Sequence, residues 1–256
     1  MALDREELLA ALGPQQFWRD VRIFETVGSS NDLLKELAQH GASEGTVVIG
    51  EEQVSARGRL GRSWHSPKGG AWFSILLRPQ MELGQSGCIA VTLAVGLAHG
   101  LREAYKLPIG VKWPNDLWLN GRKLGGILIE LASRGEKIEW LIAGIGINVN
   151  NPLPSETRVP ATSLAIALGR EIALEEFYRL ALGSISESYE NFLKEGFAPV
   201  RARWREVSVL GDRVGVHQGE AKFEASVVGL SESGKLLVRT MQGIRELAAE
   251  EVSLSI

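Results

Sequence analysis

The stretch KWPNDLWLNGRKLGGILIELASRGEKIEWLIAGIGINV, residues 112–149, decides the fold of this chain. Asn120-Gly121 is the dipeptide that most favours a two-residue hairpin, and Arg134-Gly135 favours a second turn further along. Segments rich in Val, Ile and Leu flank these turns and predict strands. The predicted strands cover residues 111–119, 123–131 and 138–149. The stretch therefore predicts three consecutive antiparallel strands.

Strands and helices alternate on either side of this stretch. A capping-box pattern at Ser29 and Asp32 predicts a helix that ends at Gly41. Apolar residues recur every four positions over residues 89–101 and line one face of residues 174–192, which predicts two further helices. Additional strands are predicted at residues 22–27, 46–53 and 71–77. Together these elements predict an α+β fold with a central mixed or antiparallel sheet flanked by helices.

The character of the sequence changes after about Leu210. Short segments with strand patterning follow, separated by turns such as Gln218-Gly219 and Ser233-Gly234. These predicted strands cover residues 213–217, 222–230, 236–240 and 251–256. We therefore predict a larger domain at residues 1–208 and a small β module at residues 209–256. A module of this size is only marginally stable alone, so we expect it to lean on the larger domain.

The composition excludes several classes of protein. The 256 residues carry a net charge of −3, so no global basic field attracts nucleic acid and no DNA partner is expected. No apolar run approaches membrane-spanning length, and residues 1–13 are acidic and helix-prone, so no membrane partner is expected. The single cysteine, Cys88, excludes an internal disulfide, predicts a cytoplasmic location and is interpreted as a buried hydrophobe. The scattered histidines lack metal-ligand spacing, so no metal owned by the protein is predicted.

Two segments present cations to a possible ligand. The loop at residues 54–70 is long for a compact domain, and it places Arg57, Arg59 and Arg62 among glycines. Arginine forks match phosphate oxygens, although a solvated basic loop is the alternative. Lys112 ends an apolar strand beside a tryptophan, so an anionic partner is expected for it. A lysine that snorkels to the surface is the alternative there.

Glycines interrupt two of the predicted strands. Gly125-Gly126 opens one strand, and Gly144-Ile145-Gly146 lies inside the next. Glycine within a strand often marks close approach by a ligand or another backbone, and a bulge is the alternative. The second segment is not a dinucleotide fingerprint, because it lacks the third glycine and the following helix.

Taken in order, these segments resemble the biotin–protein ligase family, also called biotin–[acetyl-CoA-carboxylase] ligase. The set comprises Ser29-Ser30-Asn31, Gln53, residues 57–62, Trp64, Lys112-Trp113-Pro114-Asn115-Asp116, residues 123–128 and residues 144–148. It covers the chain from residue 22, including the small β module. This chain departs from the family pattern at two positions. The family usually has Ser-Thr-Asn where this chain has Ser29-Ser30-Asn31, and it usually has Gly where this chain has Ala56. Only about twenty residues precede the first predicted strand, so we expect a monofunctional member without an N-terminal DNA-binding domain.

The resemblance implies a two-step reaction. The carboxylate of biotin attacks the α-phosphate of ATP, which gives biotinoyl-5′-AMP and pyrophosphate. A lysine of a biotin carboxyl carrier domain then takes the biotinoyl group. The resemblance also implies an SH3-like fold for the small module and a possible homodimer. Mg²⁺ would travel with the nucleotide, so the protein need not hold it alone.

The resemblance, with the chemistry of the side chains, also assigns roles. The expected catalytic residues are Lys112, Arg57 and Arg59. The expected biotin-binding residues are Ser29, Ser30, Asn31, Gln53, Arg57, Gly58, Arg59, Lys112 and Gly126. The expected ATP- or adenylate-binding residues are Arg57, Arg59, Arg62, Trp64, Lys112, Asn115 and Asn148. The loop at residues 54–70 is expected to close over the adenylate as a lid, because water would hydrolyse it.

Three other functions stay open at this point. Lipoate–protein ligases share the architecture and also form acyl-adenylates, although the arginine-rich loop favours biotin. A biotin-sensing transcriptional regulator without catalysis is the second alternative, and the short N-terminal segment and the net charge of −3 argue against it. A non-enzymatic vitamin-binding module is the third, and it would not need Lys112 together with three loop arginines.

Overall fold

Two β-sheets organise the part of the chain that the structure describes. The structure is a computed structural model, and it describes residues 3–12, 17–157, 159–249 and 252–255. One sheet has seven strands in the order β1-β2-β3-β7-β6-β5-β4, and the other has five. Helices flank the larger sheet, so the predicted α+β class is confirmed.

The larger sheet is mixed. β1 and β2 are parallel and joined through a helix, whereas every other neighbouring pair is antiparallel. Its strands are β1 (Asp20–Val27), β2 (Thr46–Gln53), β3 (Ala71–Leu77), β4 (Ile109–Lys112), β5 (Asp116–Leu119), β6 (Arg122–Arg134) and β7 (Lys137–Ile147). The predicted hairpin at Asn120-Gly121 is confirmed, since both residues have the positive φ angles, 50° and 73°, that such a turn requires.

Helices cover both faces of this sheet. They are α1 (Arg5–Leu12), α2 (Ser30–Gln39), α3 (Ser86–Tyr105), α4 (Leu164–Leu168), α5 (Leu174–Glu195) and α6 (Ala198–Val207). Alternation along β2 separates the faces: Val48 packs with Leu34 of α2, whereas Val47 and Ile49 belong to the core that contains α3 and α5. The short helices α4 and α6 were not predicted.

Helix α3 corrects one expectation from composition. Residues Leu83–Tyr105, with a mean hydropathy of 1.2, are long and apolar enough to cross a membrane by length and composition alone. In the structure this helix packs against α5 and the larger sheet, and most of its apolar side chains between Cys88 and Leu101 lie in the core. Its apolar surface is thus buried inside the fold. Burial raises the pKa of the Cys88 thiol to about 12, which fits the interpretation of Cys88 as a buried hydrophobe.

The predicted strand at residues 111–119 is wrong. The chain ends β4 at Lys112, turns through residues 113–115, and returns antiparallel as β5, with Lys112 opposite Asp116. Pro114 has no backbone N–H to give to a ladder, and its peptide bond with Trp113 is cis. Lys112 therefore lies at a strand end, beside a turn.

The second sheet lies at the C-terminal end of the described chain. Its strands are β8 (Arg213–Gln218), β9 (Ala221–Leu230), β10 (Leu236–Thr240), β11 (Gly243–Leu247) and β12 (Val252–Ser255), in the order β11-β10-β9-β8-β12. All neighbouring pairs are antiparallel. β11 was not predicted, and residues 250, 251 and 256 of the predicted last strand lie outside the described residues. The SH3-like assignment and the division after residue 208 stay predictions.

Candidate active site

A cleft of about 950 Å³ opens at one end of the larger sheet and reaches the second sheet at His217 and Leu254. This volume suits a small-molecule ligand. The cleft brings together every residue to which the sequence assigned a role. They are Ser29, Ser30, Asn31, Gln53, Arg57, Gly58, Arg59, Arg62, Trp64, Lys112, Asn115, Gly126 and Asn148.

A chain of hydrogen bonds, buried at Ser74 and half-buried at its two ends, forms one wall of the cleft. We call Ser30, Asn31 and Gln53, with Ser74 and Glu130 as their partners, the polar wall. The backbone N–H and hydroxyl of Ser30 both donate to Gln53 Oε1, at 2.8 and 3.0 Å. The Ser30 hydroxyl also lies 2.7 Å from that of Ser74, which donates to Asn31 Oδ1 at 2.6 Å. Asn31 in turn donates from Nδ2 to Glu130 at 2.6 Å. These bonds fix which way each amide and hydroxyl faces.

The local fold explains how these side chains meet. α2 begins directly after β1, so Ser30 and Asn31 lie in its first turn, next to Gln53 at the end of the parallel strand β2. Ser29 occupies the predicted N-cap position, but within the described chain its side chain makes no capping hydrogen bond. The predicted capping partner Asp32 binds Arg57 instead. Sequence reasoning missed Ser74 and Glu130, because strands distant in sequence bring them here.

The glycines of β6 and β7 make room for the site's own atoms. A Cβ at Gly144 would lie 2.1 Å from Asn31 Oδ1, and one at Gly146 would lie 2.6 Å from Trp64 Nε1. A Cβ at Gly125 would lie 2.5 Å from the carbonyl oxygen of Gly146 on the neighbouring strand. The close approach expected at these glycines is therefore made by groups of the protein itself. These groups occupy the space that a side chain would otherwise fill at each glycine.

Replacing Gly144 with alanine is expected to weaken the binding of biotin, the ligand that the resemblance in the sequence implies. The added methyl group would force Asn31 to rotate out of its bonds to Ser74 and Glu130. Such overpacking costs about 1–2 kcal/mol, or roughly tenfold in Kd. Calorimetric titration with biotin measures the effect. Gly183→Ala is the matched control, since a Cβ there meets nothing within 4 Å. Equal affinities for the two variants would contradict this account of Gly144.

The arginine-rich loop is folded as a small hairpin rather than an irregular loop. The backbone of Gln53 pairs with that of Ser66, and the backbone of Arg57 with that of Ser63, each as a single antiparallel β-bridge. Between them the chain reverses through a 3₁₀ turn at Arg59–Gly61. Arg57 donates two hydrogen bonds to the carboxylate of Asp32, at 2.7 and 2.5 Å, which holds the pKa of Asp32 below its ordinary value. The loop is thereby tied to the first turn of α2. Its expected closure as a lid stays a prediction.

Arg59 links the loop to two other parts of the molecule. Its guanidinium donates to Asn115 Oδ1 at 3.2 Å and to the carbonyl of Ala249 near the end of the second sheet. Asn115 itself donates to the carbonyl of Ile127 on β6. Arg62 lies exposed at the rim of the cleft. Arg59 thus joins the loop, the turn after Lys112 and the C-terminal sheet.

Two lysines face the cleft close to each other. Lys112 is half-buried, with its Nζ 4.8 Å from the centre of the Trp118 ring. Burial lowers the pKa of Lys112; Asp116 opposes this effect and the neighbouring Lys123 ammonium adds to it. Lys123 lies 2.7 Å from Asp116 and over the ring of Trp64. No role was predicted for Lys123, although it directly precedes the Leu-Gly-Gly segment of β6.

Asn148 is held in place by two neighbouring segments of the chain. Its Nδ2 donates to the carbonyl of Thr162 and its Oδ1 accepts from Asn151, both at 3.1 Å. The amide thus ties the end of β7 to the segment before α4, and its role in adenylate binding stays a prediction. Trp64 lies in the cleft, and its buried indole N–H has no partner among the described residues.

Comparison with known proteins places this geometry in a family. Residues 23–148 match the model of the biotin/lipoate A/B protein ligase family. The bifunctional ligase/repressor BirA of Bacillus subtilis is 31% identical over 257 residues, which cover 98% of this chain and 79% of that protein. The chain belongs to the biotin–protein ligase family. The biotin–[acetyl-CoA-carboxylase] ligase of Paracoccus denitrificans is 31% identical over 83% of this chain and 91% of its own length.

Solved structures agree with this membership. The biotin protein ligase of Aquifex aeolicus, in complex with biotin and ATP, superposes with a TM-score of 0.82 at 34% identity. The match covers 93% of this chain and 99% of that one. All predicted site residues of this biotin–protein ligase family member, from Ser29 to Asn148, fall inside the segment that the family model matches. The resemblance seen in the sequence is confirmed.

Proposed function

We propose that this chain activates biotin with ATP and transfers the product to a lysine of a biotin carboxyl carrier domain. In the first step a carboxylate oxygen of biotin bonds to the α-phosphorus, and the bond to pyrophosphate breaks. In the second step the ε-amine of the carrier lysine bonds to the acyl carbon, and AMP leaves. The observation that carries this proposal is the single cleft that joins the polar wall at Ser30 to the cations at Lys112 and Lys123.

The polar wall suits the ureido group of biotin. A ureido group offers two N–H donors and one strong acceptor, and Ser30, Asn31 and Gln53 present hydroxyl and amide groups at the cleft. Their mutual hydrogen bonds hold these groups in place before the ligand arrives. The dithiolane ring of lipoate has no polar group for this wall to match, so the wall favours biotin.

The cations suit the reacting end of the ligand. An anionic carboxylate must approach an anionic phosphate, and fixed positive charges offset the repulsion in a poorly solvated site. Lys112 and Lys123 lie near the strand ends and supply these charges, whereas Arg59 on the loop is bonded to Asn115 and Ala249 and serves to hold the loop over the site. Among the described residues no group of three or more His, Cys, Asp and Glu side chains is placed to hold a metal ion. Mg²⁺ enters this proposal only as a companion of the triphosphate.

Mixing the purified chain with biotin and ATP is expected to release pyrophosphate in a burst of about one equivalent, because the adenylate stays bound in the closed site. Adding a carrier domain should convert the burst into steady turnover. Lipoate in place of biotin is the control and should give no burst. Biotin binding without pyrophosphate release would instead identify a non-catalytic biotin sensor. The homodimer, the cytoplasmic location and the lack of DNA and membrane partners stay predictions from the sequence.

A further inference from the structure

The strand that carries Lys112 is held from both sides by the C-terminal part of the chain. The carbonyl of Val111, the residue before Lys112, accepts a hydrogen bond from the N–H of Val209 at 3.0 Å. The indole N–H of Trp113, the residue after Lys112, donates to the carbonyl of Gly234 at 2.9 Å, and this bond is buried. Both neighbours of Lys112 are therefore bonded to residues that follow α6.

The first of these contacts covers an exposed sheet edge. β4 is the last strand of the larger sheet and has only four residues, so its outer side needs another partner. Residues 207–209 supply it, and they lie so close that a Cβ at Gly110 would be 2.4 Å from Val209 Cγ1. The segment that leads into the second sheet thus completes the larger one.

The second contact, from Trp113, is made to a turn that is held by its own hydrogen bonds. Residues 231–235 join β9 to β10, and the Ser231 hydroxyl accepts hydrogen bonds from the N–H groups of Ser233 and Lys235. Gly234 has a φ of +80° and presses on the start of α3, where a Cβ would lie 2.8 Å from the carbonyl carbon of Gly87. The Cys88 thiol lies 3.3 Å from the carbonyl of Glu232, to which it donates. The acceptor of the Trp113 bond is therefore fixed against the core.

We propose that Trp113 is a positioning residue, whose hydrogen bond to Gly234 lets the C-terminal sheet set the place of the Lys112 ammonium in the cleft. This inference rests on the proposed function. Lys112 ends a short strand at a turn, so its position depends on how that turn is held. A displacement of about 1 Å at a reacting group is enough to slow a reaction strongly. The Trp113 N–H is committed to Gly234, so it acts through Lys112 rather than on the ligand.

The polar wall is independent of this arrangement. Its hydrogen bonds join α2, β2, β3 and β6 to one another, and none of the bonds described for Ser30, Asn31 or Gln53 involves the C-terminal sheet. Loss of the Trp113 bond should therefore change the rate of biotin activation and leave biotin binding as it is. A purely structural role would not separate the two.

The variant Trp113→Phe tests this inference, because it keeps an aromatic ring and removes the N–H together with part of the indole, a loss of volume that a matched Trp→Phe control shares. Trp18→Phe is a matched control, since the buried Trp18 indole also donates to a backbone carbonyl at 2.9 Å, that of Leu182 on α5. For Trp113→Phe we expect kcat for pyrophosphate release to fall about fivefold with an unchanged KM for biotin. Trp18→Phe should keep both constants per folded molecule. Gly234→Ala, which displaces the acceptor, should behave as Trp113→Phe does.

A second measurement does not depend on enzyme activity. Competitive labelling with acetic anhydride over a pH range reports the pKa of Lys112 in the intact protein. When the turn loosens and water reaches the ammonium, the lowered pKa should rise toward the ordinary value in Trp113→Phe and stay lowered in Trp18→Phe. Identical kcat and identical Lys112 labelling in the two variants would overturn the inference. Failure of the wild-type chain to release pyrophosphate would overturn the proposed function instead, and the labelling would still decide the role of Trp113.

Discussion

Replacing Lys112 with alanine is expected to slow pyrophosphate release about a hundredfold, because one preorganised cation in such a site is worth on the order of 3 kcal/mol of barrier. The ammonium lies at the end of β4, half-buried beside Trp118, where water screens charge poorly. Without it, the carboxylate of biotin and the α-phosphate repel each other more strongly. Biotin affinity should fall far less than the rate, since Lys112 meets only the carboxylate end of biotin and Ser30, Asn31 and Gln53 are untouched.

Single-turnover release of pyrophosphate measures this effect, with biotin binding followed by calorimetry on the same samples. Lys194→Ala, at an exposed position near the end of α5, is the control and should match the wild-type chain. The reaction needs the protonated ammonium, so the rate should fall as pH rises through the lowered pKa of Lys112. The resulting alkaline limb should lie below the 10.5 of an ordinary lysine. A wild-type rate in Lys112→Ala would remove this lysine from the mechanism.

Replacing Arg59 with glycine is expected to leave adenylate formation in place and to release the adenylate early. Arg59 holds the loop to Asn115 and to the carbonyl of Ala249, and hydrogen bonds from a charged donor are the strong ones. Their loss should lower the free energy that holds the loop closed over the adenylate by about 2–3 kcal/mol. The intermediate should then escape roughly fiftyfold faster. The freed biotinoyl-AMP would then react with lysines on bystander proteins.

Retention of labelled adenylate on a desalting column measures this escape, with biotinylation of an added bystander protein as a second readout. Arg59→Lys keeps the charge but not the planar fork, so its retention should be intermediate. Pyrophosphate release in the first turnover should stay close to wild type in both variants. If Arg59→Gly retains its adenylate as long as the wild-type chain does, the loop is not closed by this arginine.

The larger fold was predictable because its signals are local. Asn120-Gly121 set the turn between β5 and β6, and apolar residues four apart marked α3. The break at Pro114 was missed, since the apolar residues on both sides of it read as one strand. The helices α4 and α6 were missed as well, because α4 has only five residues and α6 carries just three buried side chains, so neither leaves a clear apolar periodicity in the sequence.

The site was predictable as a set of residues and not as a network of contacts. Loop arginines and Lys112 stood out by their unusual neighbours in the sequence. Asn31 and Glu130 are 99 residues apart, so no spacing rule could pair them. Asp32 fitted a helix cap and serves instead as the partner of Arg57, which lies 25 residues away. Competition between a local and a distant partner for one carboxylate is decided only when the chain is folded.

The long-range hydrogen bonds around Lys112 can form only after the C-terminal part of the chain has been synthesised. Trp113 and Gly234 are separated by 121 residues, and Arg59 and Ala249 by 190. The partners of the polar wall, in contrast, all precede residue 131. A nascent chain that leaves the ribosome from its N-terminus can complete this wall while the C-terminal sheet is still being translated. The parts needed for vitamin capture are thus synthesised before those needed for catalytic competence, because the bond that fixes the Lys112 turn requires residue 234.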